Sequence, residues 1–230
     1  LIPQLLHHTK TMTTTTWKPE DHIPEEVQES FKNLSSSPSA YVISLLSVVE
    51  QLKIQRRTGW VDHNVSPCES ISDHMYRMGI AAMLLKTPGV DKAKCTQIAL
   101  VHDIAESLVG DITPFDPIDK QEKHRRELAT IEYLCEKLIK PYNEVAAKEI
   151  HENWLAYENI SSIEARFVKG LDKFEMLCQC FEYEKRSKGA VDFTSFWNAA
   201  ASIKTEEVTQ WKDELYKQRE AFFKSLEESK

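Results

Sequence analysis

Glycine is scarce in this chain, at six of 230 residues. Few tight turns can be built without it, which favours helices over a turn-rich β architecture. Cysteine is limited to Cys68, Cys95, Cys135, Cys178 and Cys180, an odd number with no C-x-x-C spacing. That excludes a disulfide scaffold and a structural zinc knuckle, and makes a reducing compartment the default. No run of 18 apolar residues occurs, so no membrane-spanning helix is expected. Positive charge is also short, with 29 Lys and Arg against 36 Asp and Glu, a net charge of −7. A binder of nucleic-acid polymer would normally carry a basic face. A small anionic substrate stays open, because a bound divalent metal inverts the local field.

What is present is an ordinary soluble composition, 41% hydrophobic and 28% charged, long enough to bury a substantial core. Residues 1–16 are Thr-rich and lack the several arginines of a transit peptide, so they read as a disordered tail. Pro24 stands at a plausible first helical position, followed by Val27, Phe31 and Leu34 at helical spacing. Ser35 to Ser39 read as a connector. The expected organisation is an N-terminal extension, 1–39, partly disordered, and a single all-α domain, 40–230. Apolar periodicity predicts helices near 40–56, 70–86, 91–109, 118–139, 142–157, 161–187, 192–202 and 204–228. Residues 57–69 and 110–117 read as irregular loops beside them, where sites tend to sit.

The phrase Leu100-Val101-His102-Asp103-Ile104-Ala105-Glu106, with Gly110-Asp111 close behind, is hard to explain as packing. Burying a carboxylate costs several kcal/mol unless something positive meets it. The 91–109 stripe, Cys95, Ile98, Ala99, His102, Ala105 and Val109, turns His102 inward, with Asp103 about 100° round the helix. Glu106 follows at i+4 and i+3 from that pair. His74 shares the stripe of Ile71, Met75, Met78, Ala82 and Leu85 behind a capping-box-like Ser70-x-x-Asp73. Asp172 stands at the edge of a face made of Phe167, Val168, Leu171, Phe174 and Leu177. Alone, His74 would be a satisfied core histidine and Asp172 an edge carboxylate. Jointly, three helical segments offer two imidazoles and two carboxylates, a set that suits a divalent ion such as Mn, Co, Fe or Zn.

The pattern His74…His102-Asp103…Asp172 resembles the signature of the HD-domain metal-dependent phosphohydrolases. Further blocks, Arg57-Thr58-Gly59-Trp60, Glu69 to Met78, Val109 to Ile112, Glu122 to Glu127 and Phe167-Val168-Lys169, are similar to the eukaryotic HD-domain-containing protein 2 group. That group is similar to the bacterial 5'-deoxynucleotidase of the YfbR type. The likeness spans about residues 40–225. It implies an all-α HD-domain helical bundle, commonly a homodimer, that hydrolyses 2'-deoxyribonucleoside 5'-monophosphates. It implies His74, His102, Asp103 and Asp172 as ligands of a divalent metal (Mn, Co, Fe, Zn or Mg), and Glu106 and Asp111 as catalytic carboxylates. Arg57 and Trp60 are the implied substrate contacts; the bacterial arginine and tryptophan are adjacent, whereas Thr58-Gly59 separate them here.

The expected partner is thus a small nucleotide, with no nucleic-acid polymer and no membrane, in the cytoplasm or nucleus. Apolar positions on the last helices are compatible with a homodimer. Competing readings are an HD-type phosphodiesterase or alarmone hydrolase, and a non-catalytic metal-stabilised helical adaptor. Lys169 reads as a solvated or carboxylate-paired residue, His124-Arg125-Arg126 as an exposed charged face, and His63, His151, Cys178 and Cys180 as structural.

Overall fold

The structure is a computed structural model that describes residues 16–32 and 34–229. The expected disordered tail falls almost wholly outside the described residues. Among these, no strand forms; a single antiparallel bridge joins Arg56 and Ser70. The first helix, α1, covers Glu25–Phe31, with Pro24 one position earlier than expected, as the cap. The 40–56 helix starts at Pro38 and is two segments, α2 (Pro38–Val49) and α3 (Gln51–Ile54). A short α4 (Thr58–Asp62) lies inside the 57–69 stretch read as irregular. Then come α5 (Ile71–Met83), α6 (Lys92–Val101), α7 (Glu106–Val109) and α8 (Lys120–Tyr133), the last prolonged by a π-helical turn, Leu134–Ile139. Finally α9 (Glu144–Asn159), α10 (Ile163–Arg186), α11 (Thr194–Trp197) and α12 (Glu206–Glu228) complete the order. No helix is long and apolar enough to cross a membrane among the described residues.

Local chemistry explains where these helices begin. The Ser70 hydroxyl accepts the Asp73 amide while Asp73 accepts the Ser70 amide, a complete capping box that starts α5. Asp91, Asp119, Asn143 and Ser162 likewise accept first-turn amides of α6, α8, α9 and α10.

Packing divides the interior into two apolar clusters. One gathers Trp60, Met78, Ile98, Leu171, Leu177, Phe193 and Trp197 from α4–α6 and α10–α11. The other gathers Val27, Val48, Leu52, Ile71, Met75, Ile131, Leu134, Leu138 and Trp154 from the N-terminal helices, α5, α8 and α9. Val27, Phe31 and Leu34 join the N-terminal stretch to this second cluster, and the Ser44 hydroxyl donates to the Ser30 carbonyl at 2.9 Å. Helix α5 belongs to both clusters: Ile71 and Met75 face one, Met78 the other. His74 therefore sits at the seam. Each fully buried Leu, Ile or Met contributes about 1.5–3 kcal/mol. Six such side chains on one side and nine on the other can hold a polar seam that alone would cost several kcal/mol per buried ion.

Candidate metal centre

The helix expected over 91–109 is not continuous. Helix α6 ends at Val101, and residues 102–105 run as tight turns, with Ile104 N–H on Val101 O and Glu106 N–H on Asp103 O at 3.1 and 3.0 Å. Tightening from 3.6 toward 3.0 residues per turn separates neighbours by about 120° instead of 100°. His102 and Asp103 nonetheless converge, because the Asp103 carboxylate reaches back to 3.0 Å from His102 Nε2. Gly110 then terminates α7 at φ 84°, a conformation costly for any residue with a Cβ.

His74 arrives from α5 and Asp172 from α10. His74 Nε2 lies 3.5 Å from Asp172 Oδ1 and 3.9 Å from Asp103 Oδ2. One ligand atom from each of His74, His102 and Asp103 fits within a mutual 4.8 Å. The other ring nitrogens are spoken for. His102 Nδ1 lies 2.9 Å from the Ala99 carbonyl. A carbonyl only accepts, so Nδ1 carries the proton and, in the neutral ring, Nε2 carries a lone pair. His74 Nδ1 is hydrogen-bonded to Glu175. Both Nε2 atoms are buried without a hydrogen-bond partner. In the neutral form that binds metal, both Nε2 atoms would turn lone pairs toward carboxylate oxygens, an arrangement that a cation among them relieves. The donor set of two imidazoles and two carboxylates therefore fits a borderline-to-hard divalent ion.

Electrostatics around these groups point the same way. Burial and Arg57 oppose charge on His74, yet the nearby carboxylates of Glu175 and Asp172 push its pKa up to about 9, so a proton takes the place of a cation when no metal is bound. Asp103 is held below the usual carboxylate range: burial works against its charge, but His102, Arg57 and His74 overcome it. Asp172 is depressed too, against burial, by Lys173 and His74. Its Oδ2 takes a 2.7 Å hydrogen bond from the Tyr157 hydroxyl and a 3.0 Å ion pair from Lys173, leaving Oδ1 toward His74. Glu106 goes the other way. Burial first, then Asp103 and Asp111, raise it well above an ordinary carboxyl. Its Oε2 is buried and unpartnered, while Oε1 lies 3.8 Å from Lys123 Nζ.

The remaining expected residues divide. Arg57 is within reach of Asp103 at 3.4 Å and lines a cavity of about 670 Å³ with His102, Glu106, Asp172 and Phe196. That volume suits a small-molecule ligand. Asp111 spends its Oδ2 on the Thr58 amide and its carbonyl on the Thr58 hydroxyl, both at 2.7 Å, tying the 110–117 loop to the start of α4. Trp60 is 1% exposed, its indole N–H donates to Glu69 at 2.9 Å, and its ring stacks on Phe196. Trp60 is thus a largely covered member of the same cavity lining. Lys169 pairs with Glu158 at 3.7 Å and sits over the Tyr157 ring. A larger groove of about 800 Å³, beside Lys86, Arg166 and Lys204, holds none of the four His and Asp groups.

Glu175 was missed by the sequence reading. It is 2% exposed and receives the Arg77 guanidinium as well as His74. The signal was available: Glu175 stands at i+4 from Leu171 and i+3 from Asp172, on the buried face of α10. Tyr157 and Phe196 carried no comparable signal, because their contacts depend on how α9 and α11 pack, whereas Lys173 adjoins its partner Asp172 on α10.

An all-helical fold whose buried histidines and aspartates converge from three segments defines a class of protein, and comparison with known proteins supplies its family. Residues 49–212 match the family model described as HD domain, so the chain belongs to the HD domain family. It is 59% identical over 220 residues to a 5'-deoxynucleotidase of Saccharomyces cerevisiae, covering 96% of this chain and 91% of that one. Identity to the 5'-deoxynucleotidase HDDC2 of Homo sapiens is 43%, covering 77% and 86%. Among solved structures, the HD domain-containing protein YGK1 of Saccharomyces cerevisiae superposes with a TM-score of 0.71 at 44% identity, covering 90% of this chain and all of that one.

Two outcomes follow from this geometry. Glu175→Ala removes the carboxylate that fixes the His74 ring, so affinity for Mn²⁺ falls about 10–100-fold, measured by calorimetric titration of the metal-free protein. Unchanged affinity in a folded variant would contradict the arrangement. Raised Glu106 means the folded metal-free protein keeps a proton that the unfolded chain releases. Stability is therefore lost as pH rises from the ordinary carboxylate value toward the raised one. Glu106→Gln is expected to resist urea better than the parent near pH 8 and equally near pH 4. A Gln variant less stable near pH 8 would reverse the sign.

Proposed function

We propose that this chain is a metal-dependent 5'-deoxynucleotidase that hydrolyses 2'-deoxyribonucleoside 5'-monophosphates to deoxynucleoside and phosphate. The observation that carries the site is the pair of buried, unpartnered Nε2 atoms of His74 and His102 facing Asp103 and Asp172. The reaction and substrate are supported by the names of relatives 42–59% identical over most of the chain. His74, His102, Asp103 and Asp172 hold the divalent metal in this proposal. When bound, such an ion acts as a Lewis acid toward a phosphate oxygen and lowers the pKa of water.

The protein's own groups divide the remaining work. Arg57, kept charged against burial by Asp111 and Asp103, pairs with the phosphate through its planar guanidinium. Glu106, protonated for the reasons given, delivers its proton from Oε2 to the departing 5'-oxygen. Asp111 positions Arg57 by anchoring Thr58, the next residue. Trp60, itself in the cavity lining but almost wholly covered, backs the Phe196 ring. Homodimerisation in the cytoplasm or nucleus belongs to the same proposal. Its surface support lies on α5 and α6, where Tyr76, Ile80, Met83, Leu84 and Leu100 are exposed, and not on the last helices.

Phosphate release from a panel of substrates tests this. Activity is expected on deoxynucleoside monophosphates, weaker on ribonucleotides, and absent on a cyclic dinucleotide or guanosine tetraphosphate. Glu106→Ala should retain metal and lose at least ~10² in turnover. Preference for the diester or the alarmone, or full turnover by the variant, would contradict the assignment.

A further inference from the structure

The block Arg57-Thr58-Gly59-Trp60 is only partly used by the chemistry above. Arg57 faces the charged groups and Thr58 binds Asp111. Gly59 and Trp60 have a different common partner, Phe196, which reaches them from α11. A Cβ added at Gly59 would stand 3.3 Å from Phe196 Cε1, tighter than ordinary contact. Absence of that carbon lets the Phe196 ring lie against the backbone of α4. Trp60 stacks on the ring at 4.4 Å between centroids and 21° between planes. Phe193 and His63 meet it at steep angles of 69° and 66°. Among the described residues no second ring lies parallel to it.

Phe196 is half-buried and lines the same 670 Å³ cavity as Arg57, Asp103 and Glu106. Gly59, against which it rests, is two residues from Arg57, so their Cα atoms are at most about 7 Å apart. An aromatic ring fixed from behind, one nucleoside's reach from a phosphate-binding guanidinium, is what a nucleobase needs as a platform. Trp60 lines the cavity too, but at 1% exposure with Phe196 stacked on it the half-buried Phe196 offers the larger face.

We propose that Phe196 is the surface on which the nucleobase of the substrate stacks, held in place by Gly59 and Trp60. This rests on the deoxynucleotidase reading and adds to it the residue that recognises the base. A π-face accepts any base, so the platform favours nucleotides over other phosphomonoesters without choosing strongly among the four.

The test compares deoxynucleoside monophosphates with 2-deoxyribose 5-phosphate, which keeps the reacting ester and lacks the base. Phe196→Ala and Phe196→Leu are each expected to raise KM for the nucleotides about fivefold or more. Their kcat/KM on the base-free substrate should match the parent, and Phe196→Tyr should restore the nucleotide KM. Gly59→Ala should give an intermediate rise, because its Cβ displaces the ring. Leucine keeps most of the packing against Trp60, so it carries the test if the alanine variant does not fold. An unchanged nucleotide KM, or an equal loss on both substrates, would overturn the proposal. A parent enzyme active on deoxynucleotides with unaffected Phe196 variants sinks this inference alone. A parent inactive on every deoxynucleotide sinks the functional reading with it.

Discussion

Two imidazole nitrogens removed from water and given no hydrogen-bond partner are the constraint around which this fold is organised. His74 and His102 each have their Nδ1 committed, one to Glu175 and one to the Ala99 carbonyl. Their Nε2 atoms face carboxylate oxygens instead of donors. A buried arrangement of that kind is unfavourable by several kcal/mol without positive charge. The protein supplies part of that charge through Arg57 and Lys173, which stand on Asp103 and Asp172. The rest is the opening for a divalent ion. The two apolar clusters flanking α5 stabilise the scaffold enough to hold this conflict in place.

The same crowding separates the roles of the carboxylates. Asp103 and Asp172 have cationic neighbours close at hand and stay ionised. Glu106 is equally buried, but its near neighbours Asp103 and Asp111 are themselves acidic, so it holds its proton. Acids in one cavity are thus divided between two that stay ionised and one that keeps its proton. Lys123 bridges this centre to the loop beyond Gly110, donating to the Ile112 carbonyl at 2.8 Å while lying near Glu106 and Glu127.

Much of the helical order could be read directly. Capping residues such as Ser70 and Asp91, and the stripes of α5 and α10, are local signals. They are enough to turn His74 inward and to place Asp172 on the rim of the core. The break after Val101 was not legible, because residues 100–106 keep a helical apolar pattern while the chain tightens, and only the reach of the Asp103 carboxylate brings it back to His102. Trp60 shows a second limit. A tryptophan beside a candidate arginine reads equally well as a substrate contact or a core anchor, and only the packing of Phe196 and Glu69 about it decides where it sits. The inward setting of Glu175 was legible from the α10 stripe, but its partner His74, like the Phe196 contacts, lies about a hundred residues or more away, which no periodicity encodes.

A crystal structure of the protein soaked with Mn²⁺, with an anomalous difference map, addresses the central claim most directly. One strong peak in contact with Nε2 of both His74 and His102 and with carboxylate oxygens of Asp103 and Asp172 is the predicted result. An empty map at that position, with both imidazoles hydrogen-bonded to protein alone, would contradict it.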